Sequence, residues 1–120
     1  MSDNRFKLLE TIDNPSKGRD YEVKIETDEL TCLCPVTGQP DFASVELRYA
    51  PGELCVELKS FKIYLWSFRQ EGIFHEALAN RILDDMVELL EPLRLSLCLV
   101  FNVRGGIRTT IELHHPSPSL

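Results

Sequence analysis

Hydrophobic and polar positions along this chain alternate, change period, and then alternate again. Tyr21, Val23 and Ile25 are set against Glu22, Lys24 and Glu26, the period-two pattern of a half-buried strand. Residues 31–42 contain two prolines and a glycine and read as a loop. Alternation resumes with Val45, Leu47 and Tyr49 against Glu46 and Arg48, up to a Pro51-Gly52 turn. Leu58, Phe61, Leu65 and Phe68 then recur at helical spacing, with Lys59, Lys62 and Arg69 off that stripe. After Glu71-Gly72 a second helix places Leu78, Ile82, Met86 and Leu89 on one face, and Pro92 ends it. Leu95, Leu97, Leu99, Phe101 and Val103 form another strand row. Ile107, Thr109, Ile111 and Leu113 continue it beyond a turn at Arg104-Gly105-Gly106.

The predicted order is β-β-α-α-β-β: one α+β domain over residues 20–113, with a mostly antiparallel sheet and two helices on one face. Residues 1–19 read as an N-terminal arm without a core of its own, and residues 114–120 as a frayed C-terminal tail. Two helices leave the sheet's other face and its outer edges uncovered, and bare edges invite association, so a closed homo-oligomer is expected.

Charge narrows the choice of partner. Thirteen Lys and Arg against 19 Asp and Glu give −6, without the broad basic footprint that direct nucleic-acid binding requires. The longest strictly apolar run, residues 97–101, is far too short to cross a membrane. No apolar signal segment follows the first residues, so a cytoplasmic location is expected. Four cysteines, Cys32, Cys34, Cys55 and Cys98, are too few for a disulfide scaffold and read as free thiols. There is no glycine-rich phosphate loop.

Three clusters carry chemistry: C-P-V-T-G-Q-P-D-F at residues 34–42, V-E-L-K-S-F-K-I-Y at residues 56–64, and F-H-E at residues 74–76. A loop cysteine with a carboxylate and a histidine available elsewhere fits a nucleophile served by proton-transfer groups. Together with the R-G-G turn, these segments closely resemble the NADPH-dependent 7-cyano-7-deazaguanine reductases, the nitrile reductases of queuosine biosynthesis. The match spans nearly the whole globular part, and the short length is similar to the single-module branch. The family signature E-(S/L)-K-(S/A)-hydrophobic-K-hydrophobic-aromatic is complete from Glu57 through Tyr64.

The resemblance implies a tunnelling fold, NADPH as cofactor, 7-cyano-7-deazaguanine as substrate, and two pentamers stacked as a decamer with sites at subunit interfaces. It makes Cys34 the nucleophile that forms a thioimide and Asp41 the acid that protonates the nitrile nitrogen. His75 becomes a substrate contact and second proton donor. Val56, Glu57, Leu58 and Glu76 become substrate-binding residues, and Lys59, Lys62, Arg104 and Gly105 cofactor-binding residues, with no metal. Leu58 replaces the serine common at that position and removes a hydroxyl from the site. Two other readings stand beside this one. The first is a zinc enzyme of the same fold, resembling GTP cyclohydrolase I, with Cys32, Cys34 and His75 as ligands. The second is a non-catalytic purine-binding oligomer.

Overall fold

The computed structural model describes residues 4–118. In chain order the elements are β1 (Thr11–Asp13), β2 (Val23–Leu33), β3 (Pro40–Ala50), β4 (Leu54–Val56), α1 (Leu58–Trp66), α2 (His75–Leu90), β5 (Arg94–Phe101) and β6 (Thr110–His115). A 3-10 turn at Arg5–Leu8 precedes them. The main sheet is antiparallel in the order β2-β3-β5-β6, and β1 pairs with β4 in a separate ribbon.

Strand alternation sorts the sheet into two faces. Ala43, Val45, Leu47 and Tyr49 of β3 and Leu95, Leu97, Leu99 and Phe101 of β5 are buried. They meet Phe61 and Leu65 of α1 and Leu78, Ile82 and Met86 of α2 in one core. Glu46, Arg48, Ser96 and Cys98 occupy the opposite face of the same strands. Burial of the Cys98 thiol, helped by Glu112 and Glu46, raises its pKa. The helices are tied by polar contacts as well as packing: the Tyr64 hydroxyl donates to Asp85 at 2.5 Å, and Arg81 bonds the same carboxylate oxygen at 2.8 Å.

Several expectations need correction. Half of residues 31–42 is strand: β2 runs to Leu33, β3 starts at Pro40, and Cys32 and Leu33 pair with Asp41 and Pro40. The hairpin register continues past the prolines because Pro40 sits at the first position of its strand, where a missing N–H is tolerated. Leu58 is 61% exposed rather than part of the core stripe, and Phe68 is buried beyond the end of α1. Val103 is also exposed, because the chain leaves β5 at Phe101. At the far end, His114 and His115 belong to β6, opposite Ser96 and Leu95, so the tail begins later than expected.

The described part of the N-terminal segment is not a free arm. Leu9 is buried in the core, and β1 pairs with β4. Arg5 donates to the Ser67 carbonyl and to Glu71, with its guanidinium 4.3 Å from the Phe68 ring centroid. Asn14 is buried with its polar atoms satisfied: it donates to the Gly52 carbonyl at 2.8 Å and accepts from Tyr21 at 2.6 Å and from Ser16 N–H at 2.9 Å. This composition looked like a loop because its cohesion is polar and long-range. Asn14→Ala leaves those partners unpaired in a buried place and is expected to lower stability by about 2 kcal/mol in urea denaturation. An unchanged midpoint would show that the segment is not integral to the domain.

Candidate active site

The core-facing row of β3 contains one carboxylate. Asp41 lies two positions before Ala43 on the row that otherwise holds Val45, Leu47 and Tyr49, and its side chain is only 10% exposed. Its register partner, Cys32, is fully buried. At this end of the sheet the apolar core therefore gives way to polar chemistry.

The end of β2 brings the next groups in. Leu33 N–H donates to the Glu71 carbonyl at 2.9 Å, and Ile73 N–H donates to the Leu33 carbonyl at 3.0 Å. This short parallel bridge fixes the residues before α2 against the residue preceding Cys34. His75, the first residue of α2, therefore faces Asp41: Nε2 and Oδ2 are 3.1 Å apart. The imidazole lies flat on Phe101, with ring centroids 3.6 Å apart and planes within 4°. Stacking sets the ring plane, and the Asp41 contact sets its rotation.

Cys34 occupies the cap position of a single helical turn. Its carbonyl accepts from Gly38 N–H at 2.8 Å, Pro35 follows it, and Gly38 closes the turn at φ 76°. Proline at the first position of a turn and glycine in the left-handed position after it suit this geometry. A cap side chain meets the free N–H groups two and three residues on. The Thr37 side chain, then the backbone amides of Thr37 and Val36, lower the Cys34 thiol pKa below its ordinary value, and desolvation and the Asp41 charge oppose this. Cys32 is the opposite case: burial, then Asp41 and Cys34, push its thiol up to about 11. Two cysteines two residues apart thus have thiol pKa values displaced in opposite directions.

Arg104 reaches the site from the β5–β6 hairpin. Gly105 and Gly106, at φ 58° and 79°, form a two-residue turn closed by reciprocal Arg104–Ile107 hydrogen bonds of 3.0 Å. Nothing lies within 4 Å of a Cβ placed on either glycine, so the turn itself is the reason for glycine. Arg104 Nη2 lies 2.9 Å from Asp41 Oδ1 and also contacts the Pro40 carbonyl, while Nη1 donates to Gln39 Oε1 at 2.8 Å. The structure places Arg104 on the acid rather than beside the lysines.

These groups line one cleft of about 270 Å³ with Cys34, Asp41, Phe74, His75, Glu76 and Arg104 on its walls. Phe101, which supports the His75 ring, reads in the sequence only as ordinary strand core. Glu57, Leu58, Lys59 and Lys62 lie elsewhere. Glu57 caps α1, with its two oxygens accepting from Lys59 N–H at 2.9 Å and Ser60 N–H at 2.8 Å, contacts that lower its pKa. Val56 is buried, with its N–H on the Tyr49 hydroxyl at 3.1 Å. Leu58 and Lys62 border a second groove with Ile25, Thr27 and Trp66. Among the described residues no cluster of three His, Cys, Asp or Glu side chains is arranged to hold a metal ion. The three ligands required for a zinc reading do not converge, since Cys32 is in the core.

The contrast between the thiols yields a direct measurement. The thiolate is the reactive species, so at about pH 8 iodoacetamide should label Cys34 at least about a hundredfold faster than Cys32 in the folded protein. Peptide mass spectrometry reads the two rates. Equal labelling would contradict the cap geometry at Cys34.

A family model for QueF-like proteins matches residues 40–119. The NADPH-dependent 7-cyano-7-deazaguanine reductase of Methylobacillus flagellatus is 54% identical over 118 residues, covering 98% of this chain and 85% of that protein. The protein of the same name from Halorhodospira halophila is 55% identical over 115 residues, covering 96% of this chain and 98% of its own length. Among solved structures, the archaeosine synthase QueF-Like in the apo form matches with a TM-score of 0.73 at 21% identity, over 82% of this chain and 95% of that one, which shows a shared tunnelling fold. With more than half of its residues identical to these reductases over almost its full length, the chain belongs to the family of NADPH-dependent 7-cyano-7-deazaguanine reductases.

Proposed function

We propose that this protein reduces the nitrile of 7-cyano-7-deazaguanine to the aminomethyl group, acting in the cytoplasm on the free base through a covalent bond to Cys34. The observation that carries the mechanism is the convergence of Cys34, Asp41, His75 and Glu76 on one cleft. A nitrile is a poor hydride acceptor. Addition of the Cys34 sulfur to its carbon forms one C–S bond and opens one C≡N π bond, and the nitrogen takes a proton. The product is a thioimide, a reducible C=N.

Asp41 is the donor for that proton. Its Oδ2 shares a hydrogen bond with His75 Nε2, so a proton held between them lies beside the thiol-bearing turn. Delivery requires the carboxyl to part from Arg104, because an ionised carboxylate in an ion pair only accepts hydrogen bonds. His75 returns a second proton to nitrogen as the imine becomes an amine. Glu76, exposed at the mouth of the cleft, accepts N–H donors from the guanine-like edge.

NADPH supplies the two hydrides that the change from nitrile to amine requires. Lys59 and Lys62 fit its phosphates: both are exposed on α1 and neither pairs with a described carboxylate, while Lys62 Nζ rests 4.7 Å from the Trp66 ring centroid. Arg104 and Gly105 would join them only after Arg104 leaves Asp41.

The separation of Glu57, Leu58, Lys59 and Lys62 from the cleft supports a site assembled between copies of the chain. An ionised Glu57 keeps lone pairs free beyond its two capping bonds and can read purine N–H groups from a neighbouring subunit. Val56 sets the backbone beside it. The free edges of β2 and β6 offer the means of joining copies, and a pair of pentamers is the proposed assembly. Light scattering should report a large closed particle, and an active monomer would refute the shared site.

Three substitutions separate the roles. Cys34→Ala should bind the deazapurine but form no covalent adduct by intact-protein mass spectrometry. Asp41→Asn should form the adduct about 10²–10⁴-fold more slowly. Glu76→Leu should weaken binding by roughly 1–3 kcal/mol in calorimetry, because substrate donors lose their acceptor. Full turnover by Cys34→Ala would falsify the covalent route.

A further inference from the structure

Bases and acids are paired over much of this acidic chain, and one strip along α1 is the exception. More than half of the Lys and Arg side chains sit on a carboxylate. Among the described residues Lys59, Lys62 and Arg69 have no such partner. Together with Trp66 they advance by three, four and three positions, the spacing of one helical face. The turn after α1 continues that face, with Arg69 N–H on the Trp66 carbonyl at 3.1 Å. Lys62 Nζ and the guanidinium carbon of Arg69 each lie 4.7 Å from the Trp66 ring centroid. Attraction to the indole holds each cation there and offsets part of their mutual repulsion. Two like charges on one ring, without a carboxylate between them, make a place for an anion.

We propose that Arg69, carried on Trp66, binds the 2′-phosphate of NADPH and so selects it over NADH. This rests on the reading of Glu57 as a substrate contact and of Lys59 and Lys62 as cofactor contacts. The order of groups along α1 supplies the direction. Hydride has to reach the nitrile, so the nicotinamide end lies with the substrate, beside Glu57 at the N-cap of α1. Lys59 and Lys62 follow and meet the pyrophosphate. The adenosine end, which carries the extra phosphate, extends toward Arg69. A rise of 1.5 Å per residue puts Arg69 about 15 Å beyond Lys59, so the two serve different phosphates. The residue type fits as well. A guanidinium over an aromatic ring uses its flat face there and keeps its in-plane N–H fork for phosphate oxygens, whereas an ammonium offers a point charge. Glu29 lies on the β2 wall of the groove beside Trp66 and pairs with neither cation, so the anion is received on the α1 side.

The two dinucleotides differ only at that phosphate, which sets the experiment. Calorimetry on the full chain measures the affinity of NADPH and of NADH for the wild type, Arg69→Gln, Arg69→Lys and Lys59→Gln. Arg69→Gln should weaken NADPH by about ten- to a hundredfold and NADH by less than about twofold. Arg69→Lys should lie between the wild type and Arg69→Gln toward NADPH, because it keeps the charge and loses the fork. Lys59→Gln should weaken both dinucleotides by a similar factor. Trp66 is the only tryptophan in the chain, so its emission reports on the site directly. Adenosine 2′,5′-bisphosphate should alter that emission in the wild type and not, at the same concentration, in Arg69→Gln. NADPH affinity unchanged in Arg69→Gln, both dinucleotides weakened equally by it, or a wild-type emission indifferent to the bisphosphate would overturn the proposal. Formation of the nitrile adduct needs no cofactor and is followed separately by intact-protein mass spectrometry. A wild type that discriminates as described but forms no adduct would remove the nitrile chemistry and leave the phosphate site standing. One that forms the adduct without preferring NADPH would overturn the phosphate site alone.

Discussion

Everything in the cleft depends on two backbone hydrogen bonds made by one residue. Leu33 donates to Glu71 and accepts from Ile73, so the last residue of β2 is bridged to the segment that begins α2. Cys34 follows Leu33 by one position and His75 follows Ile73 by two. Without this bridge the cysteine turn and the helix start would be two unrelated exposed loops. Gly72 sits at the crossing, where a side chain would meet Pro35, with Cβ–Cα at 3.6 Å. That is ordinary contact, so the close passage of the segments is set by the hydrogen bonds rather than by a steric demand for glycine.

The site gathers nitrogen-bearing groups around one carboxylate. Asp41 is contacted by two nitrogen-bearing side chains, His75 and Arg104. Cys34 is close enough to feel the Asp41 charge, yet its pKa stays low because its stabilising contacts are neutral and local. Cys32, two residues earlier and on the core side of β2, is buried and meets the same carboxylate, and its thiol is pushed up to about 11. The end of β2 at Leu33 separates the two thiols: Cys32 stays in the core and Cys34 falls in the turn.

Much of the fold was legible because its core follows simple periods. The β3 and β5 rows and the Leu78–Ile82–Met86 stripe of α2 are buried as their spacing implies. What the spacing could not reveal was cohesion through polar groups: Asn14 and the Arg5 contacts fasten a segment that, by composition, looks like a loop. The prolines at 35 and 40 suggested a long loop, whereas pairing across Cys32–Asp41 and Leu33–Pro40 shortens it to a turn. At the site, the motifs marked Cys34, Asp41, His75 and Glu76, but not the pairing of Arg104 with Asp41. That contact depends on the β5–β6 hairpin folding back over the start of β3, with Asn102 N–H on the Phe42 carbonyl at 2.9 Å. A sequence separation of 63 residues carries no local signal.

Arg104 also constrains the order of events in the cleft. Its guanidinium cannot hold Asp41, Pro40 and Gln39 and at the same time serve a cofactor phosphate, because one fork presents its donors in one plane. The hairpin that carries it is short, exposed and turned by two glycines, so its tip is fastened to the body of the chain chiefly through that side chain. An anionic ligand that draws Arg104 outward frees both the carboxyl oxygen and the Gln39 amide group. Asp41 and the side chain of the residue whose carbonyl accepts from Cys34 N–H are thus held by the same guanidinium, so negative charge arriving at Arg104 acts on both sides of the cleft.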